Sequence, residues 1–219
     1  MTIKSPFSNK AERIEAFRNI DIYPVISSEF TNGRPVLDVL IAVAQGGAKV
    51  VQLREKNKSK AEIYELALKY REITEAHNMI LIINDHLDIA LACEADGVHL
   101  GQDDLPLCGA KKICGEIFLG CSTHDPVEAA DAVKDGADYI NIGPIYQTGT
   151  KSVPTGAVGI EMLNEIVPDL NIPFTVMGGI KARHIPDLLD AGARRIAMVT
   201  EITQADDVCA KVKEIRSLW

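Results

Sequence analysis

The stretch ILIINDHLDIALACEADGVHLGQDDL, Ile80 to Leu105, decides the fold. Two apolar runs, Ile80–Ile83 and Val98–Leu100, each break off at polar and acidic residues. Asn84-Asp85-His86 follows the first and Gly101-Gln102-Asp103-Asp104 the second. Between them lie a short amphipathic piece, Leu87 to Cys93, and a turn at 94–97. The order is strand, helix, strand, with carboxylates just past the end of both strands. Parallel strands carry ligands at their carboxyl ends, so both acidic clusters belong at one mouth.

The alternation continues in both directions. Strand-like apolar runs fall at about 20–27, 49–54, 79–84, 97–100, 116–121, 138–143, 173–178 and 194–199, eight in all, with helical patterns between them. Ser59-x-x-Glu62 is a capping box, and Asp125-Pro126-x-Glu128 sets a cap, an N1 proline and an N3 glutamate in order. Asp135-Gly136-Ala137 and Asp190-Ala191-Gly192-Ala193 each end a helix and open a strand, with glycine where the helix end needs positive φ. No Pro/Gly/Ser-rich linker divides the chain. These features predict an α/β fold, a single (β/α)8 TIM barrel over residues 20–219, with an open doubly wound sheet as the alternative. Residues 1–19 are polar. Asn9-x-x-Glu12, with Ile14 and Phe17 on one face, predicts a short N-terminal helical extension that plugs the barrel floor.

Composition narrows the function. The 219 residues are 47% hydrophobic, with 23 basic against 31 acidic side chains and a net charge of −8. No basic run exceeds two residues, which argues against nucleic acid as a partner. An acidic protein that binds phosphates must gather its few cations locally or recruit a metal. The cysteines at 93, 108, 114, 121 and 209 form no CxxC pair and are odd in number, which reads as buried thiols of a reducing compartment. The start MTIKSPFSNK has no apolar h-region, and no apolar run approaches membrane-spanning length. The expectation is a cytoplasmic protein with no membrane partner, and a homo-oligomer is compatible with the sequence.

Several groupings carry chemistry. Gln52, Arg54 and Lys56 in QLREK are spaced by two and share one side of a strand. Facing inward, they set a neutral hydrogen-bonding group below two cations; facing outward, they are a solvated strand end. Inward Arg and Lys are costly without an anion. Asp85 and Asp104 suit Mg²⁺, which takes one or two carboxylates and fills its other positions with water and phosphate. Each aspartate alone reads equally as a helix cap. Oxygen-rich company favours Mg²⁺ over Zn²⁺, which leaves His86 and His99 as hydrogen-bonded histidines near the mouth. Ser122 and His124 follow strand five without a nucleophile-elbow motif, so hydroxyls there suit binding rather than covalent attack. The segment 143–156 contains Pro144, Gly149, Pro154 and Gly156 and reads as a loop offering Thr148, Thr150 and Lys151, or as an ordinary surface loop. Gly178-Gly179 after strand seven and Val199-Thr200 after strand eight sit where barrels of this kind hold a phosphate.

Taken together, QLREK at 52–56, Asn84-Asp85, GVHLGQDDL at 97–105, Ser122 with His124, GPIYQTGTK at 143–151, Gly178-Gly179-Ile180 and Val199-Thr200 make the chain resemble the thiamine phosphate synthase (thiamine-phosphate pyrophosphorylase) family. The segments run in family order from strand two to strand eight. The resemblance implies a transferase of thiamine biosynthesis. It would join 4-amino-2-methyl-5-hydroxymethylpyrimidine diphosphate to a thiazole phosphate, giving thiamine phosphate and pyrophosphate. It further implies Mg²⁺ on Asp85 and Asp104, with the pyrimidine diphosphate held by Gln52, Arg54, Lys56, Asn84, Ser122 and Lys151. Of these, Arg54, Lys56, Ser122 and Lys151 are the expected catalytic set. Thr148, Thr150, Gly179, Val199 and Thr200 are implied for the thiazole phosphate. Two departures stand out: Thr200 where the family often has serine, and Arg194-Arg195 where Asp-Gly is common. The second lies at the lower end of strand eight and bears on packing. Two other functions remain in view, a barrel that isomerises a thiazole phosphate and a non-catalytic sensor of a phosphorylated metabolite. The isomerising barrel has no use for Asp85, Asp104, Arg54 and Lys56.

Overall fold

A computed structural model describes residues 5–150 and 156–219. Eight parallel strands close into a barrel in chain order. They are β1 (Ile22–Ile26), β2 (Val50–Leu53), β3 (Ile80–Asn84), β4 (Gly97–Leu100), β5 (Phe118–Thr123), β6 (Tyr139–Ile142), β7 (Phe174–Val176) and β8 (Ile196–Met198). Closure comes from β1 pairing with both β2 and β8. The runs expected from sequence correspond one for one to these strands: β4 matches its run, β5 lies two residues later than expected, and the other six are shorter because hydrogen bonding stops before apolar character does.

The capping signals act as their chemistry predicts. Helix α3 (Lys60–Ala76) starts at the Ser59/Glu62 capping box, and α6 (Pro126–Asp135) starts at Asp125, whose side chain accepts from the Glu128 amide. Helix α6 ends on Gly136 at φ 96°, where a Cβ would be strained. Of the five cysteines, Cys93, Cys114 and Cys121 are buried, whereas Cys108 is exposed and Cys209 lies between. The expectation of uniformly buried thiols therefore holds for three of them. No helix among the described residues is long and apolar enough to cross a membrane.

Alternation along the strands sorts side chains into two cores. Ile26, Val51, Leu53, Leu81 and Ile83 point outward beneath the helices. Tyr23, Val25, Val50, Ile80, Ile82, Phe118, Tyr139 and Ala197 point inward. The inner core is completed from below by α1 (Lys10–Arg18), capped by Asn9 onto the Glu12 amide. Phe17 of α1 packs its ring against Tyr139, Phe118 and Tyr23, with centroids 4.4, 5.3 and 5.9 Å away. Ion pairs hold the helix in place. Arg13 approaches the wholly buried Asp96 at the base of β4, which also accepts from Arg71 at 2.8 Å. Arg195, one of the two departures from the family pattern, donates to the Phe17 and Arg18 carbonyls at 3.2 and 2.7 Å, so it clamps the end of α1.

Phe17 fills a closed space with few ways to collapse. Phe17→Ala is expected to lower unfolding free energy by roughly 3–5 kcal/mol, read from urea denaturation. An unchanged midpoint would show that the floor does not depend on the plug.

Candidate functional site

Above the aromatic floor the barrel interior turns polar. Gln52, Asn84, His99 and Asn141 are buried in that layer, with half-buried Ser122 beside them. Register sets it: Asn84 pairs with His99 and Ser122 with Asn141, so these neighbours face inward together. Gln52, Arg54 and Lys56 line one cavity with Asn84, Asp85, Asp104 and Ser122, which decides their parity: the side shared by QLREK faces in.

The chain kinks as it leaves β3. Asp85 has φ 64°, the left-handed region that aspartate tolerates better than most residues. Its amide still donates to the His99 carbonyl at 2.8 Å, while its carboxylate meets Lys56 Nζ at 2.5 Å. Asp104 accepts from the Gly101 amide at 2.6 Å, so the turn after β4 folds its carboxylate back over the mouth. Neither aspartate caps a helix. Helix α4 (Leu87–Ala92) begins at His86 and α5 (Leu107–Ala110) at Pro106, both without side-chain caps.

Burial raises the Asp104 pKa above the ordinary carboxylate range, the Gly101 amide pulls it back, and the adjacent Asp85 carboxylate pushes it up again. Two neighbouring carboxylates of like charge favour a cation between them. Among the described residues no group of three or more His, Cys, Asp or Glu that could hold a metal comes together; what the cavity offers a cation is the pair Asp85 and Asp104. That set fits an ion that keeps water and phosphate oxygens in its shell, as Mg²⁺ does, and suits Zn²⁺ poorly. Asn84 Nδ2 is buried in the same cavity with no hydrogen-bond partner among the described residues, an amide donor waiting for an acceptor.

A second cavity adjoins the first. Thr148, Thr150, Gly178, Gly179, Val199 and Thr200 line it, with Phe30, Gln147, Lys181 and Gln204. Gly179 has φ 62°, and a Cβ there would meet the Gln147 carbonyl, so only glycine lets the two loops close together. Thr150, Met177 and Val199 border both cavities. His124 and Asn141 line a recess beneath the loop after β6, and His124 Nδ1 lies 2.6 Å from Glu128 Oε2.

With one exception, every residue expected at the site is found lining one of these spaces. Lys151 lies outside the described residues. Sequence reasoning passed over Phe30, Gln147, Met177, Lys181 and Asn141. Asn141 was findable, as a polar residue inside the run YINI, and Lys181 follows Gly178-Gly179 by two; Phe30 had no signal.

The likenesses to known proteins agree with this geometry. The family model described as thiamine monophosphate synthase matches residues 22–202. The chain belongs to the thiamine monophosphate synthase family. It is 42% identical over 208 residues to a thiamine-phosphate synthase of Caldicellulosiruptor saccharolyticus, covering 94% of each chain. A Pelotomaculum thermopropionicum protein of the same name is 43% identical over 199 residues, covering 90% of this chain and 91% of the other. Among solved structures, the thiamine phosphate pyrophosphorylase from Pyrococcus furiosus superposes with a TM-score of 0.85 at 31% identity, covering 92% and 96% of the two chains. A 3-hexulose-6-phosphate synthase at 21% identity and TM-score 0.68 shares the fold.

With no cation present, an ionised Asp104 is costlier in the folded chain than in the unfolded one, because its folded pKa is raised. Above the ordinary carboxylate pKa, Asp104→Asn should therefore raise the melting temperature in EDTA. Added Mg²⁺ should raise it in the wild type and leave the variant nearly unmoved. A melting temperature that falls in EDTA would contradict the repulsion.

Proposed function

We propose that this protein joins 4-amino-2-methyl-5-hydroxymethylpyrimidine diphosphate to a thiazole phosphate and releases pyrophosphate, forming thiamine phosphate. The observation that carries the reading is one mouth with two adjoining cavities of different chemistry. One is lined by Arg54, Lys56, the two aspartates and the Asn84 amide; the other is lined by glycine-rich turns and threonines. A diphosphate suits the first and a monophosphate the second.

The reaction replaces a C–O bond to pyrophosphate with a C–N bond to the thiazole ring. The pyrimidine amino group can feed electrons to the carbon as the C–O bond opens, so the step is dissociative and needs no strong base. Mg²⁺ on Asp85 and Asp104 would neutralise charge on the diphosphate. Arg54 and Lys56 stand where negative charge gathers on the departing oxygen, and Lys151 joins them by its position in the family motif. Gln52, Asn84 and Ser122 hold the pyrimidine end. Thr148, Thr150, Gly179, Val199 and Thr200 hold the thiazole phosphate, so the nucleophilic nitrogen approaches across the wall that the cavities share.

The test supplies both substrates with Mg²⁺ and follows thiamine phosphate, with an EDTA control. Turnover abolished by EDTA supports the reading. Isomerisation of the thiazole phosphate without the pyrimidine would favour the isomerase, and tight phosphate binding without product would favour a sensor. Asp85→Asn and Lys151→Ala should each leave the fold intact and lower turnover by on the order of a hundredfold; near-normal kinetics in either would remove that residue from the machinery.

A further inference from the structure

Two tyrosines of the floor carry hydroxyls that packing alone does not require. Gln52 Nε2 donates to Tyr23 Oη at 2.7 Å, and Tyr23 Oη lies 3.2 Å from Tyr139 Oη. Tyr139 Oη lies 2.8 Å from His99 Nδ1, and His99 Nε2 lies 2.9 Å from Ser122 Oγ. The five side chains form one path from β2 through β1, β6 and β4 to β5, crossing under the cavity that Gln52 and Ser122 both line. Gly120 makes the crossing possible. It sits between His99 and Tyr139 in the register, and a Cβ there would overlap the Tyr139 ring.

The path has a direction, which a count of protons decides. Tyr23 Oη accepts from Gln52, so its own proton goes to Tyr139 Oη. Tyr139 then passes its proton to His99 Nδ1, which must be bare to receive it. The remaining imidazole proton is on Nε2 and points at Ser122 Oγ. The reverse order would make Tyr23 accept twice and strand its own proton inside a side chain that is 1% exposed. Burial raises the pKa of both phenols, so each keeps the proton that the count assigns to it.

We propose that His99 is a positioning residue, held as the Nε2–H tautomer by the chain that begins at Gln52, so that Ser122 accepts from the imidazole and turns its own proton into the cavity. Ser122 thereby becomes a donor for an acceptor atom of the ligand, a ring nitrogen or a phosphate oxygen. No described residue accepts that proton in the chain's place. The role in turnover rests on the function proposed above; the tautomer does not.

The decisive measurement is the long-range ¹H–¹⁵N spectrum of the imidazoles in ligand-free protein. The wild type should show His99 protonated at Nε2 and bare at Nδ1. Gln52→Glu removes the proton donor at the head of the chain, so every bond should reverse and His99 should move to the Nδ1–H form. Nδ1 protonation in the wild type, or a tautomer unmoved by Gln52→Glu, would overturn the proposal. Kinetics give a second reading. The amide of His99→Gln can place an N–H where Nε2 stands, so it should keep turnover near wild type, whereas His99→Ala should lose on the order of tenfold. Equal losses would reduce His99 to packing. Absence of turnover in the wild type would defeat the proposed function and leave the tautomer result standing.

Discussion

Every second residue of a barrel strand is forced into a shared interior where few large groups fit. That crowding is the constraint on which the rest of this protein depends. The lower level is taken by four rings, Phe17, Tyr23, Phe118 and Tyr139, and the chain gives up side chains at Gly97 and Gly120 where Phe118 and Tyr139 need the room. The polar layer stands two residues further along the same strands. Gln52 follows Val50, Asn84 follows Ile82, His99 follows Gly97, Ser122 follows Gly120 and Asn141 follows Tyr139. The height and aim of the site are thus set by how the floor packs, and α1 holds that floor from outside the barrel.

Above the floor, electrostatics take over. A chain with a net charge of −8 has few cations to spare, yet Arg54 and Lys56 stand in one cavity opposite two carboxylates. Several interactions there are left incomplete: the Asn84 amide lacks an acceptor among the described residues, Asp104 and Asp85 repel, and the Asp85 backbone is left-handed. Each disfavours the folded chain when nothing is bound, and a cation with a diphosphate would relieve the first two. Local strain and unsatisfied groups gathered at one mouth mark where binding, not stability, has shaped the residues.

Much of this was legible before the structure. Strand count and direction followed from the alternation around Ile80–Leu105, and capping residues placed the starts of α3 and α6. The spacing of Gln52, Arg54 and Lys56 restricted them to one side, although only closure of the barrel showed that the side is the inner one. The tyrosine path was not readable, because Tyr23 and Tyr139 are separated by 116 positions and look like ordinary core aromatics. Phe30 lay equally out of reach, since it arrives from the loop after β1 and no local pattern ties it to β7 or β8. Asp85 remained ambiguous for a different reason: a carboxylate after a strand is as suited to capping as to binding. The positive φ, invisible in sequence, is what turns it away from α4 and toward Lys56.

The loop after β6 joins the two halves of the site. Thr150 borders both cavities, and its carbonyl lies 3.5 Å from Arg54 Nη2, so a cation from β2 reaches across the mouth to the segment that carries Thr148. Thr148 and Thr150 also share a hydrogen bond at 3.0 Å, which ties the two threonines of this stretch together. Arg54, Thr150 and Thr148 thus connect the lining of the first cavity to that of the second. In the dissociative reaction proposed above, where the protein would supply position and charge rather than a nucleophile or base, a shared wall of that kind would hold the two reacting atoms in register while the bond between carbon and oxygen opens.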